Sequence, residues 1–77
     1  MDKMELLKKV QQMFPGETII VAEKNVFETI SGTITTEYVA RSPSKNLVSE
    51  SNTGMSEALQ GLRTEMDETA LRREPSE

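Results

Sequence analysis

The chain has no cysteine, no histidine and no tryptophan. Without cysteine there are no disulfides, thiolate metal sites or thiol nucleophiles. Small secreted domains ordinarily carry disulfide staples, so the composition points to a cytoplasmic protein. Without histidine, the most frequent general base and metal ligand is missing too. Long apolar runs are also lacking. The longest, Ile19-Ile20-Val21-Ala22, is far short of the ~20 residues a membrane-spanning helix needs, and no membrane partner is expected. The opening MDKMELLKK has no long apolar core and carries an acid at its second position, unlike a secretion signal.

Glycine is sparse and scattered, at Gly16, Gly32, Gly54 and Gly61, so there is no phosphate-cradling loop. No serine has a histidine to activate it. Glu23, Glu28 and Glu37 fall on strand-like segments, where the exposed face of a sheet explains them. Glu65, Asp67 and Glu68 fall on a solvated helix face. These patterns predict no enzyme, no metal and no cofactor.

Charge of one sign is lacking in the first part and abundant in the last. Residues 1–48 hold six acids and six bases, for a net charge of 0. Residues 49–77 hold seven acids and three bases, which accounts for the whole net charge of −4. An acidic end repels phosphate backbones, so direct nucleic-acid binding is not expected. It keeps the protein soluble, and it also offers an acidic surface to a basic partner.

The pattern that is present alternates between helix and strand periods. Asp2 with Glu5 three residues on forms a capping box. Leu6, Leu7, Val10, Met13 and Phe14 follow at helical spacing, and Pro15-Gly16 stops the helix. Thr18–Ala22 and Val26–Ile30 are β-branched and apolar, Ser31-Gly32 reads as a two-residue turn, and Thr33–Arg41 returns as a second strand. This turn predicts that Ile30 faces Thr33, Thr29 faces Ile34, Phe27 faces Thr36 and Asn25 faces Tyr38. One face then collects Ile19, Val21, Phe27, Ile34, Tyr38 and Ala40. The other collects Lys24, Glu28, Thr35, Glu37 and Arg41, with Ile20, Val26 and Val39 as apolar exceptions. Asn25 is a candidate bulge.

Residues 42–46 are loop chemistry, and Leu47–Glu50 makes a short polar edge strand. Thr53 or Gly54 caps a second helix. Met55, Ala58, Leu59, Leu62, Met66 and Ala70 form its apolar stripe. Leu59 and Leu62 are expected to pack against Phe27, Ile34 and Tyr38. Leu71 leaves the stripe, where the helix should fray, and residues 72–77 read as a disordered acidic tail. Met4, Met13, Met55 and Met66 sit on or beside helix stripes as adaptable core filler.

The fold expected is α+β, in the order αβββα. Residues 1–71 form a single domain with two helices packed on one face of a three-stranded antiparallel sheet. This layout resembles that of double-stranded-RNA-binding domains. The resemblance implies shape readout of RNA through lysines at the start of the last helix. Gly54-Met55-Ser56-Glu57-Ala58 stands there instead, with no base before Arg63. The chain also resembles small uncharacterised bacteriophage and prophage proteins. The shared features are a helix ending like Phe14-Pro15-Gly16, a hairpin closing like Ser31-Gly32, a pair like Glu37-Tyr38 and a helix entry like Ser56-Glu57-Ala58-Leu59. That resemblance implies a mobile-element origin and a site of action in the host cytoplasm.

The function expected is a small non-enzymatic interaction protein, binding a host protein or itself as a homodimer. The candidate interface residues are Ile20, Val26 and Val39 on the open sheet face and Glu57, Glu65 and Glu68 on the second helix. The alternative is a nucleic-acid-related module. It is either an acidic mimic that blocks a host nucleic-acid-binding protein or a diverged domain of the RNA-binding layout.

Overall fold

The computed structural model describes residues 2–72. Helix α1 spans Lys3–Met13, strands β1 Ile20–Glu28, β2 Thr33–Ser42 and β3 Leu47–Ser51 follow, and helix α2 spans Met55–Arg72. The strands form one antiparallel sheet in the order β1-β2-β3. The fold is α+β with the expected αβββα order.

The capping box forms. The Asp2 carboxylate accepts from the Glu5 N–H at 2.8 Å, and Glu5 reaches back to the Asp2 N–H at 3.3 Å. Both bonds satisfy donors that a helix start would otherwise leave open. At the other end the Phe14 N–H donates to the Val10 carbonyl at 2.8 Å, and Gly16 turns the chain at φ +77. Helix α2 does not fray at Leu71 but runs on to Arg72, the last described residue. The tail expected at 72–77 otherwise lies outside the described residues.

The hairpin corrects the expected turn. It is a four-residue connection, Thr29–Gly32, closed by the Gly32 N–H donating to the Glu28 carbonyl at 2.8 Å. Two-residue hairpin turns need positive φ at both central residues or at the first. Among the turn residues Gly32 alone has it, at +74. The loop is therefore longer, and the register moves by two. Phe27 faces Ile34, Asn25 faces Thr36 and Glu23 faces Tyr38. A shift of two keeps every side chain on its face, so the expected division of the faces holds although each pairing differs. The ladder runs unbroken through Asn25, with no bulge there, and the Thr36 hydroxyl donates to the Asn25 side chain at 3.1 Å.

One face of the sheet carries the core. Ala58, Leu59, Leu62 and Met66 of α2 are buried with Ala40 of β2 and Phe14 from the end of α1. Small residues let α2 sit close to the sheet. Ala40 pairs with Ser49 across the strands, and Gly61 lies so close to Ser49 that a Cβ there would collide with its hydroxyl. Ser42 is also buried in this face, and its hydroxyl has no hydrogen-bond partner.

Helix α1 is held less firmly. None of its residues is buried, and Leu6, Val10 and Met13 only lean on the cluster. Arg63 of α2 ties the helices together. It donates to the Met13 carbonyl at 2.6 Å and lies over the Phe14 ring, 5.4 Å from its centre.

The expected packing of Leu59 and Leu62 is half corrected. Both are buried and Tyr38 packs at the edge of their cluster, but Phe27 and Ile34 are 65% and 66% exposed. The reason is length. Strand β3 pairs only with Tyr38–Ser42, and α2 is seated over β2 and β3. Beyond that zone β1 and β2 continue alone as a two-stranded arm, residues 24–37, with no helix above it. The sequence pattern shows which way Phe27 and Ile34 point but not how far along the strands the helices reach.

Candidate interaction surface

Ile20, Val26 and Val39 do share the sheet face turned away from the helices. Ile20 is flanked by Arg41 and then by Val48 of β3, while Val39 lies between Ala22 and Glu50. Ile20 and Val48 are about half exposed, and Val26 and Val39 are partly covered. The three expected residues are not one patch, however. Between Val39 and Val26 runs a charged row. Lys24 reaches Glu37 at 3.2 Å and Glu50 at 3.8 Å. At the base of the sheet Ile20 and Val48 flank Arg41, with Val39 diagonal to both. Val26 stands apart on the arm, about 20 Å from Ile20 at strand rise.

Glu57, Glu65 and Glu68 lie on α2, on the other side of the sheet. Glu57 and Glu68 are exposed and Glu65 is partly covered. Eleven residues bring a helix back to nearly the same azimuth, so Glu57 and Glu68 lie along one line roughly 16 Å apart. The Glu57 carboxylate folds back over Gly54 in the first turn, where the helix dipole favours it. Arg63 pairs with Asp67 at 2.8 Å and breaks the acidic run on the flank. The six expected residues thus divide between opposite sides of the molecule.

The arm holds what the sequence pattern left out. Phe27 and Ile34 face each other across β1 and β2, both two-thirds exposed, and Ile30 at the tip is fully exposed. Val26 is on the opposite face of the same arm. A signal for this was present: the third strand is half the length of its neighbours, so part of the hairpin had to extend past it.

Among the described residues no three His, Cys, Asp or Glu side chains converge as a metal site would require, and no helix is long and apolar enough to cross a membrane. Comparison with family models, curated proteins and solved structures found no match for the chain.

Proposed function

We propose that the chain is a small non-enzymatic interaction protein that binds another protein through its β1–β2 arm and the adjoining sheet face. The observation that carries this reading is the solvent-exposed set Phe27, Ile30 and Ile34, grouped on one projecting element. Single exposed apolar residues are ordinary on any surface, whereas an aromatic and two isoleucines grouped together favour burial against a partner. Covering each such side chain fully contributes ~1.5–3 kcal/mol. None of the three belongs to the core.

The test is capture from lysate of expressing cells on immobilised wild type and on a Phe27→Ser/Ile34→Ser variant, read by mass spectrometry. Proteins held by wild type and lost by the variant support the arm as the binding element. Identical sets on both would remove it.

A further inference from the structure

Strand β1 is an outer strand, nine residues long and largely exposed. The Gly32 N–H bonds to the Glu28 carbonyl, so the Glu28 peptide groups face β2. Peptide direction alternates along a strand. Val21, Glu23, Asn25 and Phe27 therefore present their N–H and C=O groups to the open edge. Charges on an edge ordinarily keep strands from pairing at random. The charges here also choose a register. Lys24 and Glu28 stand two residues either side of Val26, on the same face.

We propose that the partner of the arm is a second copy of the chain, with the two β1 strands pairing antiparallel about a two-fold axis at Val26. This rests on the interaction reading above and names its partner. In this register Val26 faces Val26 of the second copy, and Lys24 faces Glu28 of the second copy twice, once on each side of the axis. Asn25 faces Phe27, which places the two phenylalanines diagonally, within reach of each other. With the two Ile34 residues beside them they close into a four-residue apolar cluster on the face where each lone arm leaves them in water.

Charge discriminates against the neighbouring registers. An axis at Lys24 overlaps more of each strand but opposes lysine to lysine. An axis at Glu23 opposes glutamate to glutamate, and one at Asn25 sets Lys24 against Val26. Among the described residues Glu28 has no ion-pair partner, and the half-exposed Lys24 ammonium, with three donors, has room for a third carboxylate beside Glu37 and Glu50. Only residues 24–28 of each copy pair in this register, so the interface is at the small end of specific ones, and association in the micromolar range is expected.

Light scattering from about 1 to about 300 µM reads the proposal across that range. Wild type should pass from monomer to dimer. Glu28→Lys should weaken association at least tenfold, as should Lys24→Glu. Mixing these two variants should restore a dimer, because every pair across the axis then carries opposite charges. That rescue separates pairing from a folding defect. The chain has no cysteine, so Val26→Cys supplies its one thiol. Residues opposite each other outside the hydrogen-bonded pairs have Cα atoms about 4.5 Å apart, within disulfide range. Oxidation should link Val26→Cys into a covalent dimer and leave Lys24→Cys unlinked. A wild type that stays monomeric throughout, a mixture that stays monomeric, or linkage of Lys24→Cys in place of Val26→Cys overturns the proposal. A monomeric wild type whose arm variant still loses captured proteins keeps the interaction reading and assigns the arm to a foreign partner.

Discussion

The base of the sheet and its arm are made of the same two strands, yet they are in different environments. At the base β2 lies between β1 and β3 and beneath α2, and Ala40 and Ser42 are fully buried. Six residues from Ala40 along the strand, Ile34 is on the same face of β2 and is two-thirds exposed. The side chains change in the unexpected direction. Small residues, Ala40, Ser42 and Ser49, lie in the covered zone, and large ones, Phe27, Ile30 and Ile34, lie in the open zone. The small residues belong under α2 because the helix backbone comes within a methyl group of β3 at Gly61. The large ones have no such constraint. They lie outside the core, and folding gains far less from them than from Leu59 or Leu62.

The comparison breaks hardest at Leu62. It is fully buried at the centre of the cluster, and Leu62→Ala should cost ~2–5 kcal/mol in urea unfolding. For a chain of this size that is a large share of the total stability. A loss below about half a kcal/mol would show that α2 is not docked on the base.

Gly61→Ala tests the close approach. Alanine is the better helix former by ~1 kcal/mol, but its methyl meets the Ser49 hydroxyl. Overpacking of this kind costs ~1–3 kcal/mol, so the variant should be net destabilised. Adding Ser49→Ala removes the colliding oxygen and should return most of the loss. The pair should therefore be strongly non-additive, and simple additivity would mean that the two residues do not touch.

Much of this architecture was legible in the sequence, and what was not has a common cause. Periodicity reports direction around an element's axis. It placed Ala58, Leu59, Leu62 and Met66 on one side of a helix, and it divided the strands correctly between two faces. It does not report position along the axis. The two-residue error in the hairpin register and the misplacement of Phe27 and Ile34 under the helices are both errors of that kind. Local chemistry was legible where a few neighbouring residues decide the outcome, as at the Asp2–Glu5 capping box. At the Thr29–Gly32 turn two lengths were compatible with the same residues, and backbone φ decided. For the candidate surface the pattern found the face of Ile20, Val26 and Val39. It did not find the arm, because nothing in β1 or β2 alone says that β3 stops at Ser51.

Ser42 sharpens the comparison from the other side. Its hydroxyl is buried beneath α2 with no partner, which costs more than a methyl group in the same place. Ser42→Ala should raise stability by about 1 kcal/mol, read as a higher urea midpoint at unchanged slope. Destabilisation would mean that the hydroxyl finds an acceptor after all.

The smallest effect on folding belongs to the arm, and it is informative because it is small. Phe27→Ser and Ile34→Ser remove large apolar side chains, a change that is severe in a core. Here the side chains face each other in a two-stranded ribbon with water on most of their surface. What folding loses is part of one cross-strand pair, worth roughly 0.2–1 kcal/mol, together with some strand propensity. Each variant, held dilute enough to be monomeric, should therefore unfold within about 1 kcal/mol of wild type. Dilution matters, since a dimer that buries Phe27 would add its own stabilisation to wild type alone. Repeating the unfolding at increasing protein concentration separates the two contributions. Wild type should gain stability with concentration and Phe27→Ser should not. If Phe27→Ser instead costs as much as Leu62→Ala at every concentration, the arm folds back onto the body in solution, and the contrast between base and arm disappears.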